Sequence, residues 1–543
     1  MNTKLTIFFI LTSSCILDSY AGSATWNLNP TNNSWGAASN WTPATVPNGS
    51  SDVATFDVSN TTAIDLGLAV KLDRMVFNPG ASSFTFTVSE ANLTISGLGV
   101  VNNSGVTQNF TNSLGSCTFI GTASAGDINF TINGALRFEK STSAGSATIA
   151  NNPIMLGTNY GLTSFSGDAT AGNAIITNKG GGGSNGIFGG LTMFFDHANA
   201  GNAIITNEGG LTDFSGDGGT LFISGGNGGN ATLISNGGGT ANADGSLTEF
   251  SVGSNAGNAT LIANSSPFAG TLSGGQILFS YDSDGGTCRV MVFGNGSLAL
   301  TTHDDSPITI GSIEGDGLVI IGFHDLIVGS NNHSTVFSGH ITSQGGDGTM
   351  TKIGRGSLTL TKGNSYSAGT FIRGGQLIAN NKNGSATGTS PVQIDFGGLA
   401  GRGIIAGPVT VGDNGGRLAR ISPGSQSDED TDTLTVQNIV TFNSDGIYAF
   451  QVDSDQSQSD ILDAAGLTIN AGAQFMATDL GTSALAPGTM FTAVNNTAVG
   501  AINGTFANLV DGSTVTIGNN NFQVNYEGGD GNDLTLTVVS AGP

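Results

Sequence analysis

Basic residues are scarce in this chain. Its 543 residues include 15 Lys and Arg against 39 Asp and Glu, which gives a formal net charge of −24. Proteins that bind nucleic acid neutralise its phosphates with clustered cations. The shortage of cations therefore argues against a nucleic-acid partner.

Proline and long apolar runs are also scarce. With 12 prolines and no three-residue period among its glycines, the chain is not a collagen. No run of 18 apolar residues follows the N-terminus, so we expect no transmembrane helix in the mature chain. Hydrophobic residues still make up 38% of the chain, in short patterned runs, which argues against simple disorder.

Residues 1–21 have the pattern of a secretory signal peptide. Lys4 provides a positive start, residues 5–17 are mostly apolar, and Ser19 and Ala21 are the small residues expected before a cleavage site. We therefore expect export to the extracellular space or a bacterial cell surface, with the periplasm as the alternative.

Glycine, by contrast, is abundant, with 86 residues, and it recurs in internal repeats. Between residues 145 and 264, Gly-Asn pairs recur at intervals of 29, 28 and 28 residues. Each repeat has two short β patterns, Leu-Thr-x-Phe and Asn-Ala-x-Ile-x-Asn, and we place the first at Phe165, Phe194, Phe214 and Phe250. One such unit cannot bury its apolar face alone, whereas stacked units can. The repeats predict an elongated all-β fold with almost no α-helix, a right-handed parallel β-helix (β-solenoid) of roughly 20 coils.

Asparagines recur at two places in these repeats. Stacked asparagines can hydrogen-bond to one another along the axis, so we expect two structural ladders. The first comprises Asn173, Asn202, Asn230 and Asn258, and the second comprises Asn178, Asn207, Asn236 and Asn264.

Two cysteines remain after residue 21, Cys117 and Cys288. They are 171 residues apart, or about six coils, and each coil advances by about 4.8 Å. A disulfide needs Cα atoms within about 7 Å of each other. We therefore expect two free, buried thiols.

The stretch KIGRGSLTLTKGNSYSAGTFIRGGQL, residues 352–377, resembles the autotransporter-associated β-strand repeat, also called the passenger-associated transport repeat. Residues 398–411 and 422–424 continue the pattern, and residues 522–536 resemble the last strands of passengers that contain it. The resemblance implies an exported, passenger-like β-helix and no particular activity. Autotransporters end in a membrane β-barrel, and no segment of that length follows here, so we do not expect self-translocation.

Together these features divide the chain into five parts. They are a signal peptide (1–21), an N-terminal cap with the first coils (22–125), coils with Gly/Asn repeats of about 28 residues (126–345), passenger-associated repeats (346–425), and C-terminal coils with a cap (426–543). We expect Trp26, Trp35 and Trp41 to cover the open N-terminal end of the solenoid, with a sugar-stacking patch as the alternative.

Some β-helix proteins hydrolyse or cleave polysaccharides, so paired carboxylates must be considered. The best candidate is His303-Asp304-Asp305, where two carboxylates could act as general acid and base. Adjacent strand residues point to opposite faces, so we interpret this stretch as a solvated loop and a catalytic role as the weaker alternative. The five histidines, all between residues 197 and 340, have spacings that match no metal signature.

Two acidic stretches are candidates for calcium. Residues 528–533 fit the start of a calcium-binding nonapeptide, whose carboxylates would be those of Asp530 and Asp533. Asp282 and Asp284 form a second acidic turn. We expect no metal and no cofactor, and we keep calcium at these four aspartates as the alternative.

The sequence therefore predicts a scaffold more clearly than a reaction. We expect an exported, non-enzymatic surface or extracellular rod, adhesin-like or envelope-structural, that binds a glycan or cell-surface ligand through an extended polar face. The alternative is a polysaccharide hydrolase or lyase with its site on loops around residues 282–340. Converging carboxylates there would favour the enzyme, and a flat Thr/Asn face would favour the rod.

Overall fold

The computed structural model describes residues 22–153, 161–182, 189–268, 273–304, 307–424 and 431–540. Over these residues the chain is a parallel β-solenoid of about 17 turns, here called coils, which confirms the predicted fold class. The coils are fewer than the roughly 20 expected, because the last strands leave the stack for antiparallel hairpins. The helical part of the described residues is a single 3-10 turn, Ala38–Asn40. The signal-peptide prediction lies outside the described residues.

The first sheet has 15 strands, and beyond its antiparallel edge strand each successive coil contributes one. All its pairings are parallel except the first, where Trp41–Thr42 runs antiparallel to Ala24–Trp26 at the N-terminal edge. In chain order its strands are Ala24–Trp26, Trp41–Thr42, Val53–Phe56, Val70–Phe77, Asn92–Asn102, Ser116–Phe119, Ala135–Glu139, Leu162–Ser166, Leu191–Phe194, Gly219–Phe222, Leu247–Phe250, Gln276–Tyr281, Ser297–His303, Leu318–Ile320 and His340–Thr342.

The second sheet runs nearly the whole length of the solenoid. From Ile308 onward this sheet consists of two side-by-side stacks of parallel strands. Two long strands, Gly369–Ala379 and Val392–Gly401, each pair with strands of both stacks and so join them. Its strands are Ala63–Asp65, Thr85–Val88, Asn109–Asn112, Asn129–Ile132, Thr148–Asn151, Ile175–Asn178, Ile204–Asn207, Thr232–Ser235, Thr260–Ala263, Arg289–Val292, Ile308–Ile310, Ser312–Gly315, Leu326–Val328, Thr335–Phe337, Thr349–Lys352, Ser357–Leu360, Gly369–Ala379, Val392–Gly401, Val409–Val411, Ala419–Pro423, Val440–Phe442, Gly446–Asp453, Gln458–Ser459, Leu467–Ile469 and Gln474–Asp479.

A third sheet of seven strands closes the C-terminal part. Its early strands pair in parallel, like the coils, and its last three form antiparallel pairs. The strands are Ile404–Ile405, Thr433–Val436, Ile461–Ala464, Met490–Asn496, Thr514–Ile517, Asn520–Gly528 and Asp533–Val539.

The core of the regular coils is built from equivalent residues. Parallel, in-register pairing places the fourth residue of each first-sheet strand above the one before it. Seven buried phenylalanines therefore stack face to face, with ring centroids 4.5–5.2 Å apart. They are Phe119, Phe138, Phe165, Phe194, Phe222, Phe250 and Phe279.

One predicted strand was placed wrongly. The pattern ending at Phe214 is not a first-sheet strand; its coil uses Gly219–Phe222 instead, and Phe222 enters the stack. Phe214 lies in the preceding loop, 68% exposed and with φ of 60°. The spacing holds the missed signal, because Phe222 precedes Asn230 by eight residues, as Phe194 precedes Asn202, whereas Phe214 precedes Asn230 by 16.

The coil corners need glycine at one position and not at another. Before each second-sheet strand, Gly172, Gly201, Gly229 and Gly257 adopt φ of 60–63°. A Cβ at any of them would lie 2.5–2.9 Å from an atom of the preceding coil, so glycine is required by both conformation and space. The corner that follows the first-sheet strands also has positive φ, but residues other than glycine occupy it. The residues with positive φ at this corner include Lys140, Asp196, Ser224, Val252 and Tyr281.

The N-terminal end is closed by tryptophans. Trp26, Trp35 and Trp41 are at most 2% exposed, and the ring of Trp41 packs edge-on against the other two at 5.0 and 4.8 Å. This burial fits the predicted cap and leaves no ring free for stacking on a sugar. Cys117 and Cys288 are free and buried, as expected, and burial raises the pKa of both thiols to about 12.

A lysine occupies a core position in the passenger-like stretch. Lys352 is 1% exposed and stacks in register between Val328 and Ile372. Its ammonium donates to the carbonyl oxygens of Ile353 and Gly374, at 2.5 and 3.4 Å. Burial lowers the pKa of Lys352 to about 8. The strand thus keeps its in-register pairing while the ammonium of Lys352 is directed to main-chain carbonyl oxygens.

Candidate binding face

The outward side of the second sheet forms a continuous surface over eight coils, from Thr85–Val88 to Thr260–Ala263. We name this surface the threonine face. Each strand contributes its first and third residues, and in-register pairing aligns them in two columns. All are exposed or half-buried. The residues are Thr85, Thr87, Asn109, Thr111, Asn129, Thr131, Thr148, Ala150, Ile175, Thr177, Ile204, Thr206, Thr232, Ile234, Thr260 and Ile262.

The threonine face is regular in both directions. Successive coils are about 4.8 Å apart, so the seven intervals span about 34 Å, and the two columns lie about 7 Å apart. Its side chains are short and branched or small, and none of the 16 is ionisable. The face therefore presents hydroxyls, amides and methyl groups at fixed spacing, without charge.

An exposed asparagine ladder borders the threonine face. The side-chain amide of Asn202 donates to Asn173, that of Asn230 to Asn202, and that of Asn258 to Asn230, at 3.1, 3.3 and 3.1 Å. These four asparagines are the first predicted set. Thr287 continues the ladder by donating to the side chain of Asn258.

The second predicted set does not form one ladder. Asn178 and Asn207 end second-sheet strands, point into the core and pair with each other. In the next coil Asn207 pairs with Ser235 rather than with Asn236. Asn236 and Asn264 lie one residue later, and Asn264 donates to Asn236 at 2.8 Å on the outside. A one-residue shift exchanges the faces of a strand. The spacing from each Gly-Asn pair signals the shift, because it grows from five residues to six after Asn207.

Inside the coils the buried asparagines hold a network with threonines. Asn178 donates to the side chain of Asn207 at 2.7 Å and accepts from the Thr192 hydroxyl at 2.8 Å. Asn151 repeats this arrangement one coil earlier, with Thr163. Buried amides are thus satisfied by one another, so the inner ladder acts in folding rather than in binding.

In the candidate catalytic stretch the His303 ring faces the backbone, whereas Asp304 is exposed. His303 is buried, and its Nδ1 and Nε2 atoms lie 2.9 and 2.8 Å from the carbonyl oxygens of Asp304 and Ser283. Its ring packs edge-on against that of His324 at 5.7 Å. Asp305 lies outside the described residues. In this arrangement His303 is engaged with main-chain oxygens at a coil corner.

The calcium candidates also face main-chain groups. Asp282 accepts from the N–H of Gly253 at 2.6 Å, and Asp284 accepts from the N–H of Thr309 at 3.1 Å, so both tie neighbouring coils together. Asp533 accepts from the N–H of Asn496 at 2.9 Å, and desolvation by burial raises the pKa of its carboxyl. Asp530 lies beside it in the same turn. The described residues hold no group of three or more His, Cys, Asp or Glu side chains placed to share a metal ion.

The surface of the first sheet offers a different environment. A concavity of about 470 Å³ is lined by Leu191, Gly219, Leu221 and Leu247, because Gly219 interrupts a row of leucines. Asp217 lies at its edge, and desolvation by burial raises the pKa of its carboxyl to about 6. The concavity is a notch in one coil rather than a surface that repeats along the axis.

The comparisons with known proteins add no relative. A scan against protein-family models gives no match, and a search of curated proteins gives none. None of the described residues forms a helix of the length and hydrophobicity that a membrane span requires.

Proposed function

We propose that this protein is an exported, non-enzymatic rod, adhesin-like or envelope-structural, that binds a surface ligand by repeated shallow contacts along its coils. The observation that supports this proposal is the threonine face with its bordering asparagine ladder. Both present the same chemical groups in coil after coil.

Repetition gives such a surface its affinity. One coil offers only a few hydroxyl, amide and methyl groups, which would bind weakly alone. When a ligand engages many coils at once, each further contact is intramolecular, and avidity can exceed a single contact by about 10²–10⁴. A rigid solenoid suits this mode, because its contact points stay at fixed distances.

The passenger-like stretch supports the exported location. Residues 352–377 form ordinary coils here, with strands Ser357–Leu360 and Gly369–Ala379 stacked in parallel. Their resemblance to autotransporter-associated repeats, together with the signal-peptide pattern of residues 1–21, favours an extracellular or cell-surface protein.

The second candidate is a polysaccharide hydrolase or lyase acting through residues 282–340. Asp282, Asp284 and His303 all engage backbone groups of neighbouring coils. Most glycoside hydrolases use two carboxyl groups that flank the bond to be cleaved. This geometry favours the binding rod over the enzyme.

Incubation of the purified mature protein with a panel of polysaccharides and whole cells separates the two functions. We expect retention on at least one surface without release of soluble sugar. Product release that is abolished by Asp304→Asn or Asp305→Asn would establish the enzyme and contradict the rod.

A further inference from the structure

The threonine face differs in charge from the rest of the molecule. The chain has a formal charge of −24, yet the 16 residues of this face contain no ionisable group. The two columns reach charged residues only beyond their ends. These are Asp65, in the coil before the first, and Arg289, in the coil after the last. Asp127, Lys179 and Glu208 lie one outward position to the side, in the margins rather than in the two columns.

The composition of the face also restricts its flexibility. Nine of the 16 residues are threonine, and four are isoleucine. β-Branched side chains have few χ1 rotamers, so their hydroxyl and methyl groups are held in place before a ligand arrives. Less rotamer entropy is then lost on binding, which favours a ligand that is itself extended and regular.

From these observations we infer that the threonine face binds a neutral, hydroxyl-rich polysaccharide lying along the solenoid axis. This inference rests on the proposed binding function and names its ligand class. Sugar hydroxyls can exchange hydrogen bonds with Thr and Asn side chains, and the apolar faces of sugar rings can contact the Thr and Ile methyl groups.

Charged polymers fit this face less well. A polyanion would approach a molecule of charge −24 against long-range repulsion. A polycation would be attracted to the molecule as a whole, but it would find no carboxylate in the two columns with which to pair. A neutral chain avoids both costs and can extend across all eight coils.

The test compares paired variants of the full chain. Thr177→Lys with Thr206→Lys places two charges at the centre of the face. Ser164→Lys with Met193→Lys makes the same change in charge in the same two coils, at half-exposed outward positions of the first sheet. Binding is measured to immobilised dextran, mannan and methylcellulose, to polygalacturonate and to chitosan, with a circular-dichroism melt for each variant.

We expect the wild-type chain to bind at least one neutral polymer, more tightly as the polymer lengthens, and to bind it equally in 0.05 and 0.5 M salt. The face variant should bind at least about tenfold more weakly, which is about 1.4 kcal/mol, while the first-sheet variant is unchanged. A third variant, Thr177→Val with Thr206→Val, keeps the shape and removes two hydroxyls. It should also weaken binding, and it serves as the test should the lysine variant fail to fold.

Several results would overturn the inference. Equal binding by the face and first-sheet variants would show that the ligand lies elsewhere. Retention on cells, on polygalacturonate or on chitosan, with none on neutral polymers, would refute the ligand class and leave the proposed binding function intact. Retention on no surface at all would refute both.

Discussion

In the regular coils whose first-sheet strands lie between residues 116 and 281, one phenylalanine from each coil lies flat on the next, with ring planes 6–14° apart. In the C-terminal part, from residue 433 to 539, the rings meet at unlike angles, from 33° to 79°. Tyr448 packs against Phe450 and Phe475 at 66° and 79°. Both regions are buried and rich in aromatics, but only the first repeats one contact.

The difference follows from repetition rather than from strand direction. Parallel, in-register pairing of repeated sequences brings equivalent residues together, so one favourable contact can be copied from coil to coil. Gly446–Asp453 and Gln474–Asp479 also pair in parallel, but their sequences do not repeat, so Tyr448 aligns with Phe475 and Phe450 aligns with Ala477. The packing of the regular coils can therefore be predicted from one repeated contact, whereas the packing of the C-terminal part depends on each residue separately.

The largest expected effect comes from breaking the phenylalanine stack. Phe194→Ala removes a ring that contacts both neighbouring coils and should lower the free energy of unfolding by about 3–5 kcal/mol. Phe214→Ala, at the look-alike motif in the loop, should change it by less than about 0.5 kcal/mol. Urea unfolding followed by circular dichroism measures both. Similar losses for the two variants would mean that the stack has a different register.

The inner asparagine ladder gives the next largest effect. Asn178→Ala removes the acceptor of the buried Thr192 hydroxyl and one of the acceptors of the Asn151 amide, so we expect a loss of about 2–4 kcal/mol. Asn202→Ala, in the exposed ladder, should cost less than about 0.5 kcal/mol because water can replace the contact. The same unfolding assay applies. A costly Asn202 variant would contradict the division between an inner folding ladder and an outer surface ladder.

The pH dependence of stability tests the same comparison in the C-terminal part. Asp460 is fully buried, its carboxyl accepts from the N–H groups of Asp432 and Gln451, and desolvation raises its pKa to about 7. Between pH 4 and 7 the folded state therefore holds a proton that the unfolded state has lost, so stability falls as the pH rises.

The matched variant is Asp460→Asn, which stays neutral throughout. The stability of the wild type relative to this variant should fall as the pH rises from 4 to 7 and level off near pH 8. The same comparison with Asp217→Asn, in the regular coils, should show a smaller change in stability. That change should be complete nearer pH 6, because burial raises the pKa of the Asp217 carboxyl to about 6. Thermal melts at a series of pH values measure both, and a flat difference for Asp460 would show that burial does not raise the pKa of its carboxyl.

The smallest effects separate the two kinds of corner. Gly229→Ala places a Cβ 2.5 Å from Asn199 Oδ1 at φ of 60°, and we expect a loss of about 1–2 kcal/mol. Val252→Gly, at φ of 43° in the other corner, should gain up to about 1 kcal/mol by relieving a strained β-branched residue. Melting temperatures that move in the same direction for both would show that the corners are alike.

The stacking of coils could be predicted from sequence because it repeats. Gly-Asn pairs at intervals of 28–29 residues led to the solenoid and to the outer ladder at Asn173, Asn202, Asn230 and Asn258. The same regularity misled at Phe214, where the motif recurs but the eight-residue spacing to the next Gly-Asn pair does not. A motif is local, whereas membership in a stack depends on where the neighbouring coil places its strand.

By itself, the sequence determined that this protein is a parallel β-solenoid, because a repeating unit that cannot bury its own apolar face must stack on its copies. Only the tertiary structure decided which side of each strand faces inward. One extra residue between Asn230 and Asn236 moves an asparagine from core to surface. It also aligned 16 uncharged residues from eight coils into one surface, although equivalent residues of successive coils are 19–29 positions apart in the chain. Side-chain direction alternates with every residue, so a surface of this kind exists only once the register is fixed.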